Sequence, residues 1–126
     1  MLRFDSSSTR HLLLCVDDEV PALTLRKAVL EKTGYDVITA TTYAEALSEL
    51  ETHPNVSAII TDHLLGRDSG VELSAEVKRR YPKMPVILLA GAAPDHLGSV
   101  DCFIQKGEPL SYVLDMLGDI LHRSEQ

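Results

Sequence analysis

Short apolar runs that alternate with helical segments constrain the fold of this 126-residue chain more than any other feature of its sequence. The runs are short and rich in apolar and β-branched residues, as strands are, and they cover residues 12–16, 35–40, 57–61, 84–89 and 101–105. Apolar residues recur at helical spacing after the first, second, third and fifth runs. Strands that alternate with helices favour right-handed βαβ units. The sequence therefore predicts an α/β fold with an open, doubly wound parallel sheet of five strands in the order 2-1-3-4-5.

The segment between the fourth and fifth strands is the weakest part of this alternation. Residues 92–100 include Pro94 and Gly98, which leave space for a turn or two of helix at most, so we expect a shortened fourth helix. The length of the chain predicts a single domain with flexible ends. The N-terminal extension, the domain and the C-terminal tail are placed at residues 1–10, 11–122 and 123–126.

Composition argues against several classes of function. The formal net charge is −7 and the sequence has no basic stripe, so direct binding of nucleic acid is not expected. No apolar run approaches the ~20 residues of a membrane span, and the polar N-terminus lacks the apolar core of a signal peptide. We therefore expect a cytoplasmic protein without a membrane partner. Cys15 and Cys102 are predicted to be reduced thiols in or beside buried strands.

Three of the predicted strands end directly on charged residues. Asp17 and Asp18 follow the first strand, Asp62 follows the third, and Lys106 follows the fifth. Because the carboxyl ends of parallel strands share one edge of a sheet, these four side chains are expected to converge in a cation-binding phosphate pocket. Taken singly, each has a simpler explanation: an acid before a helix can cap it, an aspartate can form a turn, and a lysine can be solvated.

Together, in this order and at this spacing, these residues resemble the receiver domain of bacterial two-component response regulators. The resemblance extends over about residues 12–121. Asp62 matches the phosphate-accepting aspartate of that family, and Lys106 matches its lysine after the fifth strand. Gly70, eight positions after Asp62, matches the glycine that closes the following loop, and Phe103 matches the switch aromatic. The resemblance implies a flavodoxin-like fold.

The resemblance also implies a function in phosphorelay signalling. Asp62 would accept a phosphoryl group, in a Mg²⁺-dependent reaction, from a sensor histidine kinase, a histidine phosphotransfer protein or a small phosphodonor such as acetyl phosphate. Asp18, Asp62 and the backbone carbonyl of Leu64 would ligate Mg²⁺, with Asp17 acting largely through water. Lys106 would neutralise charge on the phosphoryl oxygens. Such a protein catalyses only its own phosphorylation and dephosphorylation, and it signals through contacts with a downstream protein, either alone or as part of a longer chain.

Departures from the family pattern bear on the mechanism. Ala90 stands where the family has a threonine or serine hydroxyl that hydrogen-bonds the phosphoryl group, so we expect weak switching through Phe103 or another route. Leu64 and Ala92 are apolar where polar residues often position a hydrolytic water, which predicts slow spontaneous dephosphorylation. The short fourth helix predicts a non-standard output surface.

Two other functions compete with this interpretation. A pseudo-receiver that binds partners without phosphorylation is supported by Ala90 and opposed by the retained acids and Lys106. A phosphohydrolase of the haloacid dehalogenase type would need a second aspartate two residues after the nucleophile. Leu64 stands at that position after Asp62, and Glu19 stands there after Asp17.

Overall fold

The computed structural model describes residues 10–124 and contains a five-stranded parallel sheet covered by helices on both faces. The strands are β1 (Leu12–Val16), β2 (Asp36–Ala40), β3 (Val56–Thr61), β4 (Leu64–Leu65), β5 (Asp68–Ser69), β6 (Val86–Ala90) and β7 (Cys102–Gln105). The helices are α1 (Val20–Lys32), α2 (Tyr43–Thr52), α3 (Gly70–Arg80) and α4 (Leu110–Ser124). The main sheet has the order β2-β1-β3-β6-β7, which confirms the predicted 2-1-3-4-5 topology, while β4 and β5 form a small antiparallel hairpin.

The central strand β1 shows why the apolar runs do not alternate with polar residues. Leu13 and Cys15 point to one face, where they pack with α1 and α4, whereas Leu14 and Val16 pack with α2 and α3 on the other. A strand covered on both faces needs apolar residues at every position. Both cysteines lie in the described range and are free, and burial raises the pKa of the Cys15 thiol to about 12.

The segment predicted to hold a shortened fourth helix contains turns and bends, and no helix forms anywhere in residues 91–101. Pro94 lacks a backbone donor, and Gly98 adopts a φ of 56°, which is outside the right-handed helical region. Asp101 closes the segment, because its Oδ2 accepts hydrogen bonds from the backbone N–H of Val86 at 2.7 Å and from Lys78 Nζ at 2.6 Å. A side chain thus fixes the connection that a helix was expected to make.

Described residues lie on both sides of the predicted domain limits. Arg10, which was expected in a flexible extension, donates hydrogen bonds to Asp36 Oδ1 at 3.1 Å and to the Tyr35 carbonyl at 2.8 Å. Helix α4 continues to Ser124, past residue 122 where the domain was predicted to end, because no proline or glycine interrupts it there. The remainder of the predicted extension and tail, residues 1–9 and 125–126, lies outside the described residues.

Replacing Asp101 with alanine should destabilise the fold by about 1–3 kcal/mol, because the buried donor of Val86 and the ammonium of Lys78 both lose an acceptor. The free energy of unfolding in urea measures the effect. Asp95→Ala removes the same charge from an exposed position in the same segment and serves as the control. Equal stability of the two variants would contradict this account of the connection.

Candidate functional site

The carboxyl ends of β1 and β3 place two of the predicted acids side by side. Val16 and Thr61 are paired in parallel register, and the backbone N–H of Asp62 donates to the Val16 carbonyl at 2.9 Å. Asp17 and Asp62 therefore leave neighbouring strands at one edge of the sheet. The backbone N–H of Lys106 donates to the carbonyl of the last residue of β6 at 2.8 Å, which brings the lysine to the same edge.

Asp17, Asp18 and Asp62 form a cluster that we call the acidic pocket. One carboxylate oxygen from each lies within 4.8 Å of the others. Lys106 Nζ lies 3.2 Å from Asp62 Oδ1 and 4.0 Å from Asp17 Oδ2. The four side chains that the sequence placed at strand ends are thus brought together in space.

Burial within the acidic pocket is graded. Asp17 is fully buried, the Asp62 side chain is 13% exposed, and Asp18 is exposed, so the pocket opens to solvent at Asp18.

Three carboxylates this close repel one another by a few kcal/mol per pair at an effective dielectric constant of about 20. The donors are all carboxylate oxygens, which are the ligands preferred by a hard divalent cation such as Mg²⁺. The donor set therefore fits magnesium.

Helix capping does not account for this run of acids. Glu19 occupies the N-cap position of α1, yet its side chain makes no capping hydrogen bond to this helix, all of which lies in the described range. Asp17 Oδ1 instead accepts a hydrogen bond from the Glu19 backbone N–H at 2.9 Å. Asp17 thus has a local structural role in the turn before α1.

Arg26 is a charged member of the site that the sequence analysis did not identify. It lies three residues after Leu23 and four before Leu30, the two buried residues of α1, and thus on the face of the helix that meets the sheet. Its Nη2 donates to Asp17 Oδ2 at 3.3 Å, and its side chain is 16% exposed. An arginine on the buried face of a helix requires an acidic partner, but the apolar residues of α1 do not define one sharp face from which the sequence could identify that position.

Gly70 determines how closely α3 approaches the acidic pocket. A Cβ atom at this position would overlap the carbonyl oxygen of Asp62 and lie 2.6 Å from Leu88 Cδ1. The backbone N–H of Gly70 donates to the His63 carbonyl at 2.7 Å. Glycine is therefore needed here because of this close approach, and the contact supports the backbone that carries Asp62.

The remaining predicted site residues lie near the same edge of the sheet. Leu64 begins the hairpin two residues after Asp62, and the residue is 68% exposed. Ala90 is buried at the carboxyl end of β6. Phe103 is half-buried and pairs with Leu88 in the register of β6 and β7, two positions before the strand ends. Their predicted roles depend on motion or on ligands and remain predictions.

Comparisons with known proteins agree with this geometry. The response regulator receiver domain family matches residues 13–102. The transcriptional regulatory protein GlrR of Escherichia coli (strain K12) is 34% identical over 125 residues, covering 94% of this chain and 28% of that protein. The alkaline phosphatase synthesis transcriptional regulatory protein PhoP of Bacillus subtilis (strain 168) is 36% identical over 77 residues, covering 61% of this chain and 32% of that protein.

Among solved structures, the response regulator receiver domain protein (CheY-like) from Methanospirillum hungatei JF-1 superimposes with a TM-score of 0.86 at 26% identity. The match covers 93% of this chain and 98% of that one. The chain therefore belongs to the response regulator receiver domain family. It spans less than a third of the length of the two transcriptional regulators. Within residues 10–124, no helix has the length and apolar character that crossing a bilayer requires.

Proposed function

We propose that the chain is a phosphorelay module that accepts a phosphoryl group on Asp62. The observation that carries this proposal is the position of the Asp62 carboxylate, which has an oxygen within 4.8 Å of the other two acids and lies 3.2 Å from the Lys106 ammonium. A nucleophilic carboxylate needs positive charge near the phosphoryl oxygens and an open approach for the donor. The acidic pocket offers both, because Lys106 supplies charge and the pocket opens at Asp18.

Asp18 and Asp62 would hold Mg²⁺ directly, together with the backbone carbonyl of Leu64, and buried Asp17 would act largely through water. When bound, Mg²⁺ supplies positive charge that offsets the carboxylates and the phosphoryl oxygens. Asp62 then attacks phosphorus in line, forming an O–P bond as the P–N bond of a phosphohistidine breaks. The imidazole leaves with that electron pair, and the product is an aspartyl phosphate. The Lys106 ammonium pairs with a phosphoryl oxygen.

Upstream, the phosphodonor would be a sensor histidine kinase or a histidine phosphotransfer protein. Downstream, the signal would pass through contacts with another protein, since the net charge of −7 disfavours direct binding of nucleic acid by this domain. The cytoplasm, where such donors act, is the proposed location. Enzymatic activity would be limited to the protein's own phosphorylation and dephosphorylation.

Ala90 supports a second candidate, a pseudo-receiver that acts without phosphorylation. It ends β6 without the hydroxyl that would hydrogen-bond a phosphoryl group. A hydrogen bond to a charged group contributes about 1.5–3 kcal/mol, which is comparable to the few kcal/mol that commonly separate the two states of a switch.

If Asp62 is phosphorylated, the missing hydroxyl of Ala90 should weaken the coupling between the phosphoryl group and Phe103. A complex with beryllium fluoride in which the Ala90 loop moves fully inward and Phe103 becomes buried would refute this expectation.

The proposal is tested by incubating the protein with MgCl₂ and acetyl phosphate and measuring the intact mass. We expect an added phosphoryl group that maps to Asp62 and is absent from Asp62→Asn. Asp68→Asn, which changes an exposed aspartate of the neighbouring hairpin, should retain the adduct. A wild-type protein that gains no phosphoryl group and whose NMR spectrum does not respond to beryllium fluoride would support the pseudo-receiver instead.

Spontaneous dephosphorylation should be slow, because the exposed Leu64 side chain offers no polar group to orient an attacking water. Leu64→Asn should shorten the lifetime of the aspartyl phosphate severalfold, as measured by loss of the mass adduct after removal of acetyl phosphate. Leu110→Asn alters another exposed leucine, at the start of α4, and should leave the lifetime unchanged. A lifetime that stays the same or lengthens in Leu64→Asn would contradict the prediction.

A further inference from the structure

Arg26 and a cation at the acidic pocket would compete for the same carboxylate. Arg26 Nη2 donates to Oδ2 of Asp17, and Asp17 is fully buried, so its oxygens are accessible to few partners. The other oxygen, Oδ1, is already bonded to the Glu19 backbone N–H at 2.9 Å. A cation that draws on Asp17, directly or through water, therefore competes with the guanidinium and with Lys106, whose Nζ lies 4.0 Å from Oδ2, for the charge of this carboxylate.

The pairing of Arg26 with Asp17 is too weak to be a fixed structural ion pair. Arginine and carboxylate bind most strongly through two parallel hydrogen bonds of about 2.7–2.9 Å. Here the contact from Nη2 is 3.3 Å long, and the buried Nη1 has no hydrogen-bond partner among the described residues. A buried donor without a partner is unfavourable, so the guanidinium gains by moving to a better acceptor.

The structure provides a place for the displaced guanidinium. A cavity of about 340 Å³ lies between α1 and the start of α4, and Arg26 forms part of its wall. Gly107 and Glu108 line the same cavity, with Leu25 and Val113 among its apolar residues. Glu108 is thus an acidic residue in the wall of the cavity that adjoins Arg26.

We propose that Arg26 is a displaceable counter-ion of Asp17 that competes with Mg²⁺ and so sets the affinity of the acidic pocket for the metal. This inference rests on the proposed function in that the cation is Mg²⁺. Three carboxylates with Lys106 and Arg26 carry one net negative charge, whereas without Arg26 they carry two. The divalent cation therefore binds a less negative pocket than the acids alone would provide, and its binding releases the arginine towards Glu108.

Calorimetric titration with MgCl₂ tests this role without reference to phosphorylation. Arg26→Met keeps a long side chain on the buried face of α1 and removes the charge. This variant should bind Mg²⁺ about tenfold more tightly than the wild type. Lys32→Met removes the same charge from the exposed last turn of α1 and should change the affinity less than twofold. Arg26→Lys retains the charge and should stay close to the wild type.

An unchanged or weaker affinity for Mg²⁺ in Arg26→Met would overturn the inference. A weaker affinity would mean that Arg26 positions the Asp17 carboxylate for the metal. If Arg26→Met does not fold, the wild type still provides a test. The Nε–H resonance of Arg26 should shift during the MgCl₂ titration, and a resonance that stays fixed at saturating Mg²⁺ would exclude displacement. Absence of Mg²⁺ binding by both proteins would instead overturn the proposed magnesium site, and this inference with it.

Discussion

Gly70→Val should destabilise the protein by about 3 kcal/mol or more and disrupt the acidic pocket at the same time. The Cβ of any larger residue would overlap the Asp62 carbonyl oxygen and press on Leu88 Cδ1 at 2.6 Å. Both neighbours are fixed, since one is backbone at the end of β3 and the other is a fully buried side chain of β6. Overpacking against rigid atoms must be relieved by a shift of α3 or of the Asp62 backbone.

Gly118→Ala is the matched control, because Gly118 lies in α4 with nothing within 4 Å of the position that a Cβ would take. Alanine in a helix interior is favoured over glycine by about 0.5–1 kcal/mol, so this variant should be neutral or more stable. Urea denaturation measures both changes, and the phosphoryl adduct reports the state of Asp62. Gly70→Val with wild-type stability would show that α3 can move away at little cost.

The order of the main strands could be predicted from the sequence because it depends on few choices. Once alternating strands and helices are recognised, right-handed crossovers and buried apolar runs leave few arrangements of a parallel sheet. The hairpin of β4 and β5 was not predicted, since strands of two residues carry no hydrophobic period. Asp101 could not be predicted to close the connection before β7, because its hydrogen bond to Val86 joins residues that are distant in sequence.

The convergence of Asp17, Asp18, Asp62 and Lys106 could also be predicted, because strand ends place residues at a common edge regardless of side-chain detail. Arg26 could not be assigned in the same way. Its partner becomes evident only when the rotation of α1 about its axis is known, and the apolar residues near Arg26 do not define one sharp face. Similarly, Gly70 matched a family position, but the close approach to Asp62 that explains it is a property of packing.

Lys106→Met should slow the phosphorylation of Asp62 by acetyl phosphate by roughly 10²–10³-fold, as removal of a preorganised charge at a reacting group typically does. The ammonium lies 3.2 Å from Asp62 Oδ1, and its loss leaves the transferred oxygens without that neutralising partner. Mg²⁺ should bind at least as tightly as before, because a positive charge has been removed from beside the acidic pocket. A slower transfer with undiminished metal affinity therefore distinguishes charge stabilisation from a structural role.

Lys83→Met removes the same charge before β6, at the amino end of that strand and hence at the opposite edge of the sheet. Asp62 of this variant should be phosphorylated at the wild-type rate. Lys106→Arg keeps the charge but replaces a compact ammonium with a planar guanidinium. Its phosphorylation rate should fall between those of Lys106→Met and Lys83→Met. The rate is measured from the growth of the mass adduct at several concentrations of acetyl phosphate.

A Lys106→Met rate within a few fold of the wild type would mean that the ammonium does not act on the transferred group. Loss of Mg²⁺ binding in Lys106→Met would show that Lys106 has a structural role in the acidic pocket. A lysine that acts only through its charge repels Mg²⁺, so its removal would not weaken metal binding.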